Sequence, residues 1–428
     1  MAVIIRSAKI ISSASESNGQ TADILIIDGK ITEIGKGLKA PEDAEIIEAE
    51  GLCVSPGWFD MHVNFRDPGF EWKEDLSTGR DSAAAGGFTG VAVMPSTLPP
   101  VHSKSEIEYI INKSRGFIVD ILPVGTVSKN LEGKDLSEMY DMHLSGAIAF
   151  SDDKKSIADP GLLQRALLYS KSFNGLIINF PDEQKISLDG KMNEGITSTH
   201  TGLKGMPALA EDIMAQRDIF LVEYTESRIH FSTISSAKTV DLIRKAKKQG
   251  LNITAEVAVH NLFFDDTVLE GFESHFKVKP PLRTKEDITA LLEGIADGTI
   301  DAIVSDHSPE DEEMKKREFD YAAFGAIGLE TAFAAANTAL KGKISLEKLI
   351  DILAINPRKI LNLPIPAIKI GEKANLTCFL PKKKWEVTES DLKSKSKNCP
   401  FIGLTLTGKA VAVVNNGSFV RLSDSRIV

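Results

Sequence analysis

From Trp58 onward the chain alternates short apolar runs with longer amphipathic ones, and this alternation limits its possible folds more than any other feature. The apolar runs are Trp58 to Val63, Gly90 to Met94, Val119 to Val124, Ala147 to Phe150, Leu176 to Phe180, Arg228 to Ser232, Asn252 to Val257 and Ala302 to Ser305. Each has the length of a strand, and the intervening segments are long enough for a crossover helix. Eight such units predict an α/β fold in which a parallel sheet closes on itself, a (β/α)8 TIM-like barrel. Between the runs, Ser236 to Gln249 spaces Val240, Ile243 and Ala246 along one helical face, with Gly250 placed to end the helix. Ala208 to Thr225 predicts another helix, entered through Pro207.

The two ends of the chain read differently. Val3 to Ile11 and Ile24 to Ile34 are β-rich, and Asp28-Gly29 suits a type I′ turn. Leu329 to Leu340 and Leu346 to Ile355 predict helices, and β character returns from Ala367, through Asn375 to Leu380 and Leu404 to Val414, with Asn416-Gly417 as a second turn. Residues 1–54 and 366–428 are therefore expected to share a small β-sandwich-like domain beside a barrel of residues 55–365, and 428 residues accommodate both.

Composition excludes several classes of function. No apolar run approaches the ~20 residues that span a bilayer, and Met1 to Arg6 is too short for a secretory signal. A formal net charge of −10 argues against nucleic acid as a partner, and Lys382 to Lys384 reads as a solvated loop. Cys53, Cys378 and Cys399 are scattered without a C-x-x-C pair, which fits a reducing cytoplasm and no thiolate zinc site.

Chemistry-bearing residues recur near the C-terminal ends of the expected strands, where barrel enzymes place their active groups: His62, Asp152-Asp153, His230, His260 and Asp306-His307. Any one of them alone is more often a structural hydrogen-bonding group than a ligand. Alternate strand residues share a face, so His62 and Asn64 should project together, with Arg66 just beyond as a grip for a carboxylate or phosphate.

The motifs Asp60-Met61-His62-Val63-Asn64-Phe65-Arg66-Asp67-Pro68-Gly69, Ala85-Gly86-Gly87-Phe88-Thr89, Met94-Pro95-Ser96-Thr97, Phe150-Ser151-Asp152-Asp153, Thr254-Ala255-Glu256-Val257, Pro280-Pro281-Leu282-Arg283, Asp297-Gly298-Thr299-Ile300-Asp301-Ala302-Ile303, Ser305-Asp306-His307-Ser308-Pro309, Phe324-Gly325 and Gly328-Leu329-Glu330-Thr331 occur in one order along nearly the whole chain. In that set the sequence resembles the amidohydrolase superfamily, and within it the dihydroorotases associated with aspartate transcarbamoylase. The resemblance implies pyrimidine biosynthesis and a cyclic amide hydrolase that interconverts dihydroorotate and carbamoyl aspartate on zinc. It places His62, Asp153 and Asp306 among the metal ligands, Asp306 as the proton-shuttling catalytic residue, and Arg66, Ser96 and Lys279 at the substrate.

The departures from the family pattern are as informative. Asn64, Asn179 and Thr233 stand where ligand histidines are usual, Ser96 and Lys279 where asparagines are usual, and Glu310 replaces the histidine after Asp-His-x-Pro. Amide and hydroxyl oxygens are weak zinc donors, so the expected metal content is one ion or none. The expected protein is a weakly active or inactive homologue, a pseudoenzyme acting as an assembly partner of aspartate transcarbamoylase. The alternative is an active dihydroorotase using one metal or an altered ligand set, supplemented by His230, His260 or Asp152. A homo-oligomer and a carboxylated small-molecule ligand are also expected. Lys279 is expected either to compensate Asp153 and Asp306 in a metal-free site or to point to solvent. The charge-rich run Glu310 to Arg317, within the loop from Glu310 to Ala323, reads as a mobile loop or a solvated helix.

Overall fold

The computed structural model describes residues 1–422. All eight expected runs become parallel barrel strands: β1 (Trp58–Val63), β2 (Phe88–Val93), β3 (Asp120–Gly125), β4 (Ala149–Ser151), β5 (Ile177–Asn179), β6 (Ile229–Phe231), β7 (Ile253–Ala258) and β8 (Ala302–Val304). They are hydrogen-bonded in sequence order. The circle is completed by a parallel bridge between Val63 and His307, with the Asn64 N–H donating to the His307 carbonyl at 2.8 Å. Among the described residues, no helix is long and apolar enough to cross a membrane.

The terminal segments form an eight-stranded mixed sheet beside the barrel. From one edge it runs Ser418–Arg421, Thr405–Asn415, Leu376–Glu386, Cys53–Pro56, Ala2–Ile10, Thr21–Ile27 and Lys30–Gly35, with Glu45–Ile47 alongside Ala2–Ile10. Asp28-Gly29 and Asn416-Gly417 are its turns, and all four residues have left-handed φ, between 49° and 74°. Such a pair matches the twist of a hairpin. A Cβ on Gly29 would lie 2.8 Å from Gly417 Cα, so the turns from opposite ends of the chain touch.

Sheet and barrel meet at Trp58. Its ring packs against Phe88, Phe333 and Phe379, and its indole N–H donates to Ser55 Oγ at 3.0 Å. Gly57, immediately before, has no room for a side chain, because a Cβ there would sit 2.0 Å from Thr89 Oγ1. Arg358 secures the same point from below by donating to the Gly57 carbonyl at 2.6 Å. The helical stretch expected to reach Ile355 is broken into Leu346–Ile350, a π-helical turn at Asp351–Ile355, and Asn356–Ile360. Pro357 lacks an N–H to continue a regular ladder, and the wider turn absorbs that loss.

The loop from Glu310 to Ala323 is held down and not free. Lys315 is buried, and its Nζ donates to the Ala323 and Gly325 carbonyls at 3.0 and 2.9 Å. Lys277, also buried, donates to the carbonyls of Phe319 and Asp320. Burial pushes both ammonium groups down to about 8.

Inside the barrel, β1 to β5 and β8 contribute an apolar floor that includes Phe59, Met61, Ala92, Val124, Leu176 and Val304. Asp60 seals the seam: one oxygen accepts the His62 N–H at 2.9 Å and the other the Ser305 N–H at 2.8 Å, joining β1 to the end of β8. Burial raises this carboxyl to about 6 despite those donors. Asp60→Ala would leave two buried N–H groups without acceptors, so we expect a loss of roughly 2–4 kcal/mol in urea unfolding at neutral pH. Asp60→Asn, which keeps one acceptor, should lose less; equal stability of Asp60→Ala and the parent would refute the seam.

Candidate functional site

The site begins at an irregularity in β1. Its pairing with β2 slips between Asp60 and Val63, and the consecutive residues Met61 and His62 both face the barrel interior. Met61 joins the floor, while His62 reaches across the barrel, its Nδ1 2.9 Å from Glu256 Oε1 on β7 and 3.0 Å from Ser232 Oγ beyond β6. Glu256 continues the chain of contacts to His230 Nε2 at 3.1 Å, and His230 Nδ1 meets Thr254 Oγ1 at 2.8 Å. On its other side His62 Nε2 lies 3.0 Å from Asp153 Oδ1 and 3.6 Å from Asp306 Oδ1. These side chains are almost fully buried.

Lys154 completes the group. Its Nζ is 2.8 Å from Asp306 Oδ1 and donates to Thr233 Oγ1 at 3.0 Å, with the Phe180 ring 5.3 Å away. Burial opposes ionisation of Asp153, but His62, Lys154 and Ser96 outweigh it and hold that carboxyl well below the usual range. Glu256 is likewise held low, by His230 and His62 against its burial. Burial and Lys154 both disfavour a charged His62, yet Asp153 and Glu256 prevail and raise it to about 10. The network is therefore an ion cluster in which His62 and Lys154 are the cations.

The backbone at this end of the barrel is unusual. Asp153, Thr233 and Asp306 all have left-handed φ, 53°, 43° and 50°, and so does Arg66 at 61°. Non-glycine residues seldom adopt this conformation, and it concentrates where a fold must aim a side chain. Residues just past strand ends are turned inward by it.

The structure brings together His62, Asp153 and Asp306, and with them Ser96, whose hydroxyl donates to Asp153. It separates others. Asn179 faces the helix Ala208–Thr225, its amide donating to Asp218 Oδ2 at 2.6 Å. Asp152 accepts the N–H groups of Val127 and Ser128 and organises a turn. Asn64 stays buried, its Oδ1 without a hydrogen-bond partner. His260 stands 3.8 Å from Asp306, and burial pushes its imidazole down to about 4, so it is neutral at pH 7. Of the two readings of Lys279, compensation of Asp153 and Asp306 is not what the structure has; the side chain is partly exposed and pairs with Asp182 at 2.7 Å, flanking Phe180. Lys154 takes that part, and the only sequence signal for it was adjacency to Asp153. Glu256 lay within a matched motif, but its link between two histidines needed the barrel to close.

Arg66 lies at the mouth, where its Nη2 donates to Ser308 Oγ at 2.8 Å and pairs with Glu310 Oε1 at 3.0 Å. Arg283, from the Pro-Pro-Leu-Arg run, serves the fold by donating to Ser235, Asn193 and the Met206 carbonyl. Among the described residues, no group of three or more His, Cys, Asp or Glu side chains is arranged to hold a metal ion.

Comparison with known proteins agrees with this architecture. A family profile described as Dihydro-orotase-like matches residues 51–239, and one described as Amidohydrolase family matches residues 182–420. A dihydroorotase of Geotalea daltonii is 42% identical, over 99% of this chain and 100% of its own length. One from Caldicellulosiruptor saccharolyticus is 43% identical over 98% of each. In structure, the L-hydantoinase (dihydropyrimidinase) from Arthrobacter aurescens superposes with a TM-score of 0.84 at 25% identity, covering 98% of this chain and 96% of that one. The barrel, the ordered motifs and end-to-end similarity to these relatives lead to one assignment: the chain belongs to the dihydroorotase family of the amidohydrolases.

Proposed function

We propose that this chain is a dihydroorotase-family protein of pyrimidine biosynthesis whose metal centre has been exchanged for a protein-borne cation, so that it interconverts dihydroorotate and carbamoyl aspartate feebly or not at all. The observation that carries this reading is Lys154, whose ammonium stands 2.8 Å from Asp306 and hydrogen-bonds Thr233. Buried carboxylates need a counter-charge, and a lysine of the chain itself can supply it.

The donor set points the same way. Catalytic zinc ordinarily takes three good protein ligands and keeps one position open. Here one imidazole, His62, lies between two carboxylates, Asn179 is turned away, and the Thr233 hydroxyl is spent on Lys154. These residues do not fit a dinuclear zinc centre. Water has a pKa of about 15.7 without a metal to lower it, and Asp306 alone is a poor activator. In this reading the barrel acts as an assembly or regulatory partner, most naturally of aspartate transcarbamoylase, by analogy within the family. Three buried free cysteines are in keeping with a cytoplasmic setting.

A second reading, a working dihydroorotase with one metal or an altered ligand set, is the one that the relatives favour, since they are named dihydroorotase and align over their whole length. On similarity alone it is the better supported. Zinc content separates the two. Protein purified without chelator should carry far less than one zinc per chain and close the ring of carbamoyl aspartate at well under about 1 per second, with or without added zinc. Stoichiometric zinc with turnover of roughly 1 per second or more would establish the second reading.

The lysine is testable by itself. Lys154→Met should lower unfolding stability by roughly 3 kcal/mol, as expected when one partner of a buried ion pair is lost. Lys154→Arg should recover part of that loss, and an unchanged melting curve for Lys154→Met would remove the lysine from its assigned place.

A further inference from the structure

Glu310 is placed as a bound ligand would be. Its Oε1 pairs with Arg66 Nη2 at 3.0 Å and its Oε2 with Lys73 Nζ at 2.6 Å, so two cations converge on one carboxylate. Arg66 is further fixed by Ser308 Oγ at 2.8 Å and, through Nε, by the Pro309 carbonyl at 3.2 Å. The Glu310 N–H donates to Asn398 Oδ1 at 3.3 Å, and the side chain is 7% exposed. Lys315, whose charge also acts on Glu310, follows in the same loop. In direct contact, two cations thus share the single charge of Glu310. Without that carboxylate, Arg66 and Lys73 would be left half-buried and uncompensated, which is costly unless an anion replaces it.

Glu310 also lines a cleft of about 680 Å3 with Trp72, His275, Lys395 and Asn398. The cleft offers the side chain somewhere to go when it leaves the cations.

We propose that Glu310 is a resident carboxylate that fills the Arg66 and Lys73 clamp, so that a free carboxylated ligand binds only by displacing it. The site is a carboxylate site kept occupied by the chain's own loop. This goes beyond the question of turnover and does not depend on it: the clamp is defined by Arg66 and Lys73, whether or not the barrel interior holds a metal. The occupant it admits on displacement is a small carboxylated molecule, because Arg66 and Lys73 together are matched by a single carboxylate.

The test is calorimetric titration of the full chain with carbamoyl aspartate and with succinate, neither of which requires catalysis. Glu310→Gln preserves size and one acceptor while removing the charge, and Glu310→Ala opens the clamp outright. At least one folded variant should bind a dicarboxylate tenfold or more tightly than the parent, and adding Arg66→Gln should abolish the gain. Folded variants that bind no more tightly than the parent, or a gain that survives Arg66→Gln, would overturn the proposal and leave Glu310 as a loop anchor. Zinc content and turnover are read separately, so failure here and failure of the functional reading are distinguishable.

Discussion

Everything at the mouth of this barrel depends on neutralising carboxylates that the fold has buried. Asp153, Glu256 and Asp306 lie within a few ångströms of His62, out of contact with water. Isolated charges in such a place would cost several kcal/mol each. The protein answers with His62 held between Asp153 and Glu256, His230 beyond Glu256, and Lys154 on Asp306. A related barrel shares the frame, as the superposition with the L-hydantoinase from Arthrobacter aurescens shows.

That arrangement depends on backbone devices that lie outside the regular strands. A slip in the pairing of β1 turns two consecutive residues inward, and left-handed φ angles aim Asp153, Thr233 and Asp306. The seam made by Asp60 fixes the angular position of β1 against β8, and hence the position of His62 relative to Asp306. Trp58 then ties the same strand to the terminal sheet through its aromatic neighbours. A shift at any of these points would reach the ion cluster through rigid, close-packed elements.

The same economy recurs one layer out. Arg66 and Lys73 are matched by Glu310, and the backbone carbonyls of the following loop by Lys277 and Lys315. Charged side chains that read from sequence as a solvated run are thus divided between anchors and surface: Lys315 is buried, whereas Lys316 and Arg317 are exposed. Composition cannot make that division, because it depends on which side of a short helical turn each residue occupies.

By itself the sequence determined the eight strands, the closed α/β barrel, the pairing of both chain ends in one sheet, and the family, since these follow from local periodicity, turn chemistry and ordered motifs. The resemblance also marked Asn64, Asn179 and Thr233 as positions where ligand histidines are expected. Only the tertiary structure decided which side chains meet at the barrel mouth. Lys279 was the lysine that motif comparison singled out, yet it lies with Asp182, while Lys154, one residue past Asp153, faces Asp306 from the far side of the barrel. Strand order says which residues reach the mouth, but ion pairs form between side chains brought together by closure, bulges and left-handed turns. These are long-range consequences of packing that no local pattern along the chain encodes.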